Sequence, residues 1–321
     1  RPSFFEATTA LAFRYFADEQ VDCAVVEVGL GGRLDATNVL QPRLAVITNI
    51  GLVHTDLLGT TVPEIAREKA GIIKPGVPVV TAVGQPEALA VLREVAAARE
   101  AALHSIHEEA AVRVRSAGLG GLVLDAETPR RAYTGLHVGL PGAHQRSNAA
   151  LAVRAAELAF PDLVPGAVAE GLRAVRALAG LRGRLDVLSR TPLVVADVAH
   201  NADGLAAALA FIDGHRDPAG RLHVLLGLMR DKDAEAVAAV LAGAAASVFV
   251  VALPTERAWA PEALAGSLRA AGVEVAGRGT VEEGRRRFYR QAAPHDALLA
   301  AGSHHVVAAL LAAGSPGGGG A

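Results

Sequence analysis

Three side chains early in the sequence have the types and spacing for metal and carboxylate chemistry. Glu27 interrupts an apolar run in VVEVGLGGRLDATN (25–38) just before three glycines, His54 closes ITNIGLVH (47–54), and Lys69 lies within REKAGIIKPG (67–76). Neighbouring parallel strands lie about 4.8 Å apart, so a carboxylate and an imidazole at adjacent strand ends can share one divalent ion. The plainer reading is a tight glycine turn with Glu27 paired to an arginine and a histidine that is merely structural. Lysine is scarce, with only Lys69, Lys74 and Lys232 among 31 basic residues. A lysine kept in so arginine-rich a chain suggests work a guanidinium cannot do, such as reaction through a neutral amine; chance is the bland alternative. Lys74 reads as a solvated cation at a helix end.

A second group lies in the later half. Asp197 and His200 fall in DVAHNADG, followed by Gly227 and by Gly302-Ser303. All lie just past the ends of expected strands, where open parallel sheets gather their ligands. With Glu27 and His54 they suggest two facing sites across a cleft. Read plainly, Asp197 to Asn201 is a turn capping a helix, Asn148 a polar helix residue, Arg184 a linker charge and Ser303 an N-cap. GLGG is not a dinucleotide fingerprint, because the third glycine of G-x-G-x-x-G would fall at Leu34. Glycines there would let a substrate approach the backbone closely.

The elements that must position these residues alternate in an α/β rhythm. Ser3 and Glu6 form a capping-box pattern ahead of an amphipathic helix over 3–18. Strands are predicted at 23–28 and 44–50, with helices over 63–70 and 87–99. The middle is less regular, with short apolar runs at 103–106 and 122–124 and helices from about 147 and 167. From Leu193 the alternation sharpens, with strands at 193–196, 223–226, 247–251, 273–275 and 297–300, each preceding a helix as parallel crossovers require. The domain boundary is placed near 183–188, and SPGGGGA (315–321) reads as a flexible tail.

The chain has 321 residues, 51% hydrophobic and 20% charged, with net charge −2. That length suits two domains, and the balance lacks the basic excess of a nucleic-acid binder. Partners are expected to be small molecules, with no nucleic acid and no membrane, since no apolar run approaches the roughly 20 residues of a span. The single Cys23, in an apolar strand, suits a structural thiol in a reducing, cytoplasmic setting. A monomer is expected.

In order along the chain, VEVGLGGRLDATN, ITNIGLVHTDLLG, REKAGIIKPG, LPGAHQRSN, GRLD, DVAHNADG, LLGLMRDKD and AGSHH resemble folylpolyglutamate synthase, often bifunctional with dihydrofolate synthase, in the Mur ligase superfamily. The resemblance covers 4–307. It implies an α/β protein of two domains: a P-loop-type Mur ligase central domain over 1–185, binding ATP and Mg²⁺, and a Rossmann-like glutamate-ligase domain with a mostly parallel sheet over 186–314. It implies an ATP-dependent ligase that phosphorylates a carboxylate of folate or dihydropteroate and lets the amine of L-glutamate displace phosphate. By the same resemblance Glu27 and His54 are magnesium ligands, with His54 also counted as catalytic, and Lys69 is a carbamylated lysine. Asn148, Arg184, Asp197 and His200 contact the nucleotide. Phe5, Thr8, Arg33 and Asp35 lie on the pterin side, and Ser303 also binds substrate.

The chain departs from the family in places. No lysine follows a glycine anywhere, so the G-x-x-x-x-G-K-[ST] loop is not found and the central domain reads as incomplete. Because Phe4-Phe5 begins inside a family motif, we expect a fragment of a working ligase that is inactive by itself. The alternatives are a non-catalytic remnant that binds folate or nucleotide, or another Mur-type amide ligase. Val53, Leu181-Arg182, Val198 and Ala202 also differ from the usual residues beside proposed site positions.

Overall fold

The computed structural model describes residues 1–52 and 55–313. His54 and the tail at 315–321 therefore lie outside the described residues. The chain divides into two compact units, one comprising 1–113, 125–136 and 146–169, the other 114–124, 137–145 and 170 onward.

The first unit opens with α1 (Phe4–Asp18), whose capping box is formed: Ser3 Oγ accepts from the Glu6 N–H and Glu6 Oε2 accepts from the Ser3 N–H. A short 3₁₀ turn (Ala36–Val39) leads to β1 (Ala45–Ile47), α2 (Thr55–Leu58), α3 (Val62–Ala70), β2 (Val79–Thr81), α4 (Pro86–Ala98), β3 (Leu103–Ser105) and α5 (Ile106–Glu109). β1, β2 and β3 form a parallel sheet in that order. α3 starts sharply because Thr61 and Glu64 form a second capping box with a proline in the first turn. Its apolar face, Ile65, Ala66 and Ala70, packs with Leu92 of α4 and with Ile47 and Val79 of the sheet. Ile65 and Leu92 are fully buried, each stabilising by about 1.5–3 kcal/mol.

β4 (Ala111–Gly118), β5 (Gly121–Glu127) and β6 (Ala132–Val138) make a separate three-stranded sheet in the stretch whose apolar pattern is irregular. α6 (Gln145–Ala159) buries Arg154 and Glu157. Arg154 Nε donates to Glu109 Oε2 at 2.7 Å, and its Nη1 to Glu157 Oε2 at 3.3 Å. Glu157 Oε1 also accepts from the Thr128 and Tyr133 hydroxyls, and Glu109 Oε1 accepts from His104. Few of this network's polar atoms are left without a partner, as burial of charge demands.

α7 (Pro165–Arg173) and α8 (Val175–Ala179) precede a six-stranded sheet ordered β11-β10-β9-β12-β8-β7. The strands are β7 (Asp186–Arg190), β8 (Leu193–Ala196), β9 (Leu222–Leu226), β10 (Ser247–Val251), β11 (Val275–Gly279) and β12 (Ala297–Ala301). All pairings are parallel except that of the edge strand β7 with β8. The helices are α9 (Ala202–Asp213), α10 (Ala234–Leu241), α11 (Pro261–Ala270), α12 (Val281–Gln291) and α13 (His304–Ala312). Successive strand residues point to opposite faces. Leu193 and Val195 meet α9, α10 and α11 on one face, while Val194 and Ala196 meet α12 and α13 on the other. The sheet is thus buried on both sides, which is why its strands read as continuous apolar runs.

Three sequence expectations are corrected. Residues 23–28 form no regular element and belong to no ladder among the described residues, and Val25 is 96% exposed. A strand needs a hydrogen-bonding neighbour, and apolar composition alone does not supply one. Cys23 is accordingly exposed, not a buried structural thiol. The strand expected at 273–275 begins only at Val275, after Gly272 turns the chain in a left-handed conformation. No helix among the described residues is long and apolar enough to cross a membrane.

Candidate functional site

In the first unit the GLGGRLDATN segment docks on the carboxyl end of α3. Arg33 N–H donates to the Glu68 carbonyl at 2.9 Å, and the Arg33 guanidinium grips the Glu68 carboxylate through Nε and Nη2. The Asn38 amide donates to the carbonyls of Arg33 and Gly71, and Lys74 Nζ donates to the Asn38 carbonyl at 2.6 Å. Lys74 therefore fastens the loop and is not a merely solvated helix-end charge. A Cβ on Gly32 would sit 2.9 Å from the Glu68 carbonyl oxygen, and one on Gly71 2.4 Å from Arg33 Cα. These glycines serve backbone-to-backbone packing, and Phe5 covers Gly29. Protein fills the side-chain direction at each of them, while Gly29 itself is exposed.

Asp35 caps the 3₁₀ turn, accepting from the Thr37 N–H and hydroxyl and from the Leu30 N–H. Burial pushes its carboxyl up, but these hydrogen bonds outweigh it and the pKa lies below the usual range. Thr8 Oγ donates back to the carbonyls of its own helix. Arg33, Asp35 and Thr8 are thus each committed within the protein. Glu27 is exposed and has neither an ion-pair nor a hydrogen-bond partner among the described residues. The plain reading of Glu27 as an arginine's partner does not hold, since Arg33 goes to Glu68. A carboxylate oxygen is the hard ligand type that a Mg²⁺ ion takes.

Lys69 lies in the last turn of α3 and is half-buried. Its ammonium has no hydrogen-bond or ion-pair partner among the described residues. Burial alone pulls its pKa below the ordinary lysine value.

In the second unit β8, β12 and β9 are neighbours, so Asp197, Gly302-Ser303 and Gly227 emerge side by side at their carboxyl ends. Backbone bonds tie the exits together: Asp197 N–H donates to Ala300 and Gly302 N–H to Ala199. The Asp197 carboxylate accepts from the Leu185 N–H at 2.8 Å and the Ala199 N–H at 2.7 Å. Burial nevertheless raises its pKa, outweighing those bonds and the nearby charges of Arg184 and His144. Arg184 follows from the GRLD turn, where Leu185 adopts a left-handed backbone. His200 Nδ1 donates to the Val198 carbonyl at 3.0 Å, which leaves Nε2 as the free nitrogen. Ser303 is the N-cap of α13, accepting from the His305 N–H. Asn148 lies exposed near the start of α6, in the other unit.

Residue type and spacing do not single out His144 and His304. The first lies within electrostatic reach of Asp197, the second of Arg184 and His200. Both fell inside quoted segments, LPGAHQRSN and AGSHH, but only the fold brings them to this end of the sheet. Among the described residues no three His, Cys, Asp or Glu side chains form a metal cluster, and the pairing of Glu27 with His54 lies outside them.

Comparison with known proteins gives two domain matches, a Mur ligase middle domain over residues 5–156 and a Mur ligase glutamate ligase domain over 183–304. The chain is 42% identical over 233 residues to a dihydrofolate synthase/folylpolyglutamate synthase of Bacillus subtilis, covering 72% of this chain and 54% of that protein. Among solved structures, a Mycobacterium tuberculosis folylpolyglutamate synthase complexed with ADP superposes with a TM-score of 0.86 at 33% identity, over 97% of this chain and 72% of that one. An Escherichia coli relative in complex with DHPP and ADP gives a TM-score of 0.85 at 29% identity, over 97% of this chain and 71% of that one. The chain spans 54–60% of the length of the first curated relatives it matches.

Proposed function

Because the chain belongs to the Mur ligase family, in its folylpolyglutamate and dihydrofolate synthase branch, we propose that this protein joins L-glutamate to a folate or to dihydropteroate at the expense of ATP. A carboxylate oxygen of the acceptor attacks the γ-phosphorus and ADP leaves. The glutamate amine then attacks the acyl carbon, phosphate departs and an amide remains. Charge spreads over phosphoryl oxygens in the first step, so positioned cations supply most of the stabilisation.

We assign ATP and Mg²⁺ to a domain over 1–185 and the amino acid to a glutamate-ligase domain over 186–314. Glu27 and His54 would hold Mg²⁺, which when bound neutralises phosphate charge. Asn148, Arg184, Asp197 and His200 would contact the nucleotide. Phe5, Thr8, Arg33, Asp35 and Ser303 would shape the acceptor and amino-acid sites. For Arg33 and Asp35 that role is indirect, since their charges hold the loop that carries Glu27.

The observation that carries the mechanistic part is Lys69. A half-buried amine with no partner among the described residues and a depressed pKa is suited to add to carbon dioxide: Nζ bonds to the carbon, a proton leaves and a carbamate anion results. A Lys69 ammonium serving stability alone would be expected to have a carboxylate beside it.

The test is phosphate release by the gene product expressed from its natural start codon, with ATP, L-glutamate and either dihydropteroate or tetrahydrofolate. Release with one or both acceptors is expected. No release with either would reject the assignment.

A further inference from the structure

A cavity of about 280 Å³ opens in the second unit at the amino ends of β9 and β10, the opposite end of the sheet from Asp197 and Ser303. Leu225, Phe249 and Phe288 form its apolar floor. Gly284 lets α12 lie this close, since a Cβ there would come within 2.6–2.7 Å of Leu225 and Phe249. His223 stands at one side, its Nδ1 bonded to Ser247 Oγ at 2.9 Å and its ring edge-on to Phe288.

The mouth carries charges of both signs. Arg287 on α12 and Glu274 just before β11 both line it, and both are exposed. Neither has an ion-pair or hydrogen-bond partner for its side chain among the described residues, and they do not pair with each other; Glu274 lies within electrostatic reach of His223. Arg221, also at the mouth, is instead engaged by the buried Asp296.

From this arrangement we propose a binding site for a free α-amino acid with a bulky apolar side chain. The free guanidinium of Arg287 takes the α-carboxylate, the free carboxylate of Glu274 takes the α-ammonium, and the side chain lies over Phe249, Phe288 and Leu225. A ligand bearing only an anion would face Glu274, and one bearing only a cation would face Arg287 and Arg221, so a zwitterion fits best. The volume lies just below the roughly 300–1,000 Å³ of ligand pockets, which excludes a nucleotide or a folate. The floor of Leu225, Phe249 and Phe288 disfavours glutamate as the preferred occupant, because a second carboxylate laid over it would lose water to apolar surface. The site is therefore separate from any amino-acid site at the carboxyl ends of the strands, and stands or falls independently of the ligase assignment.

The probe is L-phenylalanine, titrated into the whole chain by calorimetry and by protein NMR. Saturable binding is expected, weakened tenfold or more by Arg287→Gln and likewise by Glu274→Gln. Both positions are exposed, and unchanged melting curves would verify that the variants fold. N-acetyl-L-phenylalanine, L-phenylalaninamide and glycine, each lacking one of the three recognised features, should bind tenfold or more weakly. No saturation at up to about 10 mM L-phenylalanine would overturn the proposal. So would binding that either substitution leaves unchanged, or derivatives that bind as well as the parent.

Discussion

The Arg33 guanidinium holds the Glu68 carboxylate through both Nε and Nη2, at 3.0 and 2.9 Å. Glu68 is the neighbour of Lys69, so this fork ties the loop after Glu27 to the helix turn that carries the half-buried amine. An exposed pair of this kind contributes about 1 kcal/mol or less. Its value is geometric, fixing where the loop lies.

The same docking depends on Gly71, where an added methyl would lie 2.4 Å from Arg33 Cα and Cβ. Gly71→Ala should destabilise the protein by about 1–3 kcal/mol through overpacking, read as a lower urea midpoint. An unchanged midpoint would mean that the loop is not seated on α3.

For Lys69 the sign of the pH dependence follows from burial. The folded state holds this proton less tightly than the unfolded chain, so the charged form costs stability below the folded pKa, and the cost vanishes as pH rises toward 10.5. Lys69→Met should therefore be relatively more stable than wild type at neutral pH, with the advantage shrinking in alkali. Its turnover should be lost. Wild-type activity should fall in carbon-dioxide-free buffer and return with bicarbonate, whereas Lys69→Arg should not respond.

Glu27→Gln alters an exposed, unpartnered carboxylate, so the melting temperature should stay within a degree or so of wild type, in line with the small effects of surface substitutions. Ligase turnover should fall about a hundredfold or more if the carboxylate holds the cation. Equal rates would remove Glu27 from that role.

Asp296 is buried at the start of β12 and accepts from the N–H groups of Arg221 and Ala293. Burial pushes its carboxyl up, yet these bonds and the Arg221 guanidinium prevail and hold the pKa at about 2. A depressed carboxyl stabilises above its unfolded value of 3.8 and loses that contribution as pH falls through about 2. Asp296→Asn should cost about 1–3 kcal/mol at neutral pH. The gap to wild type should close between about pH 4 and pH 2 in acid-unfolding curves, given those two values.

Arg154 lies between Glu109 and Glu157 in the first unit. Arg154→Met strands two carboxylates and should cost about 3–5 kcal/mol. Adding Glu157→Gln should recover part of that loss. A single variant as stable as wild type would show that water reaches the network.

The sequence by itself determined what depends on near neighbours and on apolar pattern. The capping box at Ser3 and Glu6, the helix at α3 and the buried strands from Leu193 onward were legible because their signals lie within a few residues of the structure they form. The motif order also carried the family, since Glu27, Lys69 and Asp197 sit in segments too long to arise by chance. What only the tertiary structure decided is which groups remain available. It committed Arg33 to Glu68 and Lys74 to the Asn38 carbonyl, and set Gly32 against the backbone of Glu68 and Lys69 and Gly71 against that of Arg33, while leaving Glu27 and Lys69 without partners among the described residues. It also brought the exits of β8, β12 and β9 together and drew His144 and His304 beside them. Partnership depends on contacts between residues distant in sequence, which local pattern does not encode, and segment 23–28 is the plainest case: its composition is that of a strand, but a strand exists only where another lies beside it.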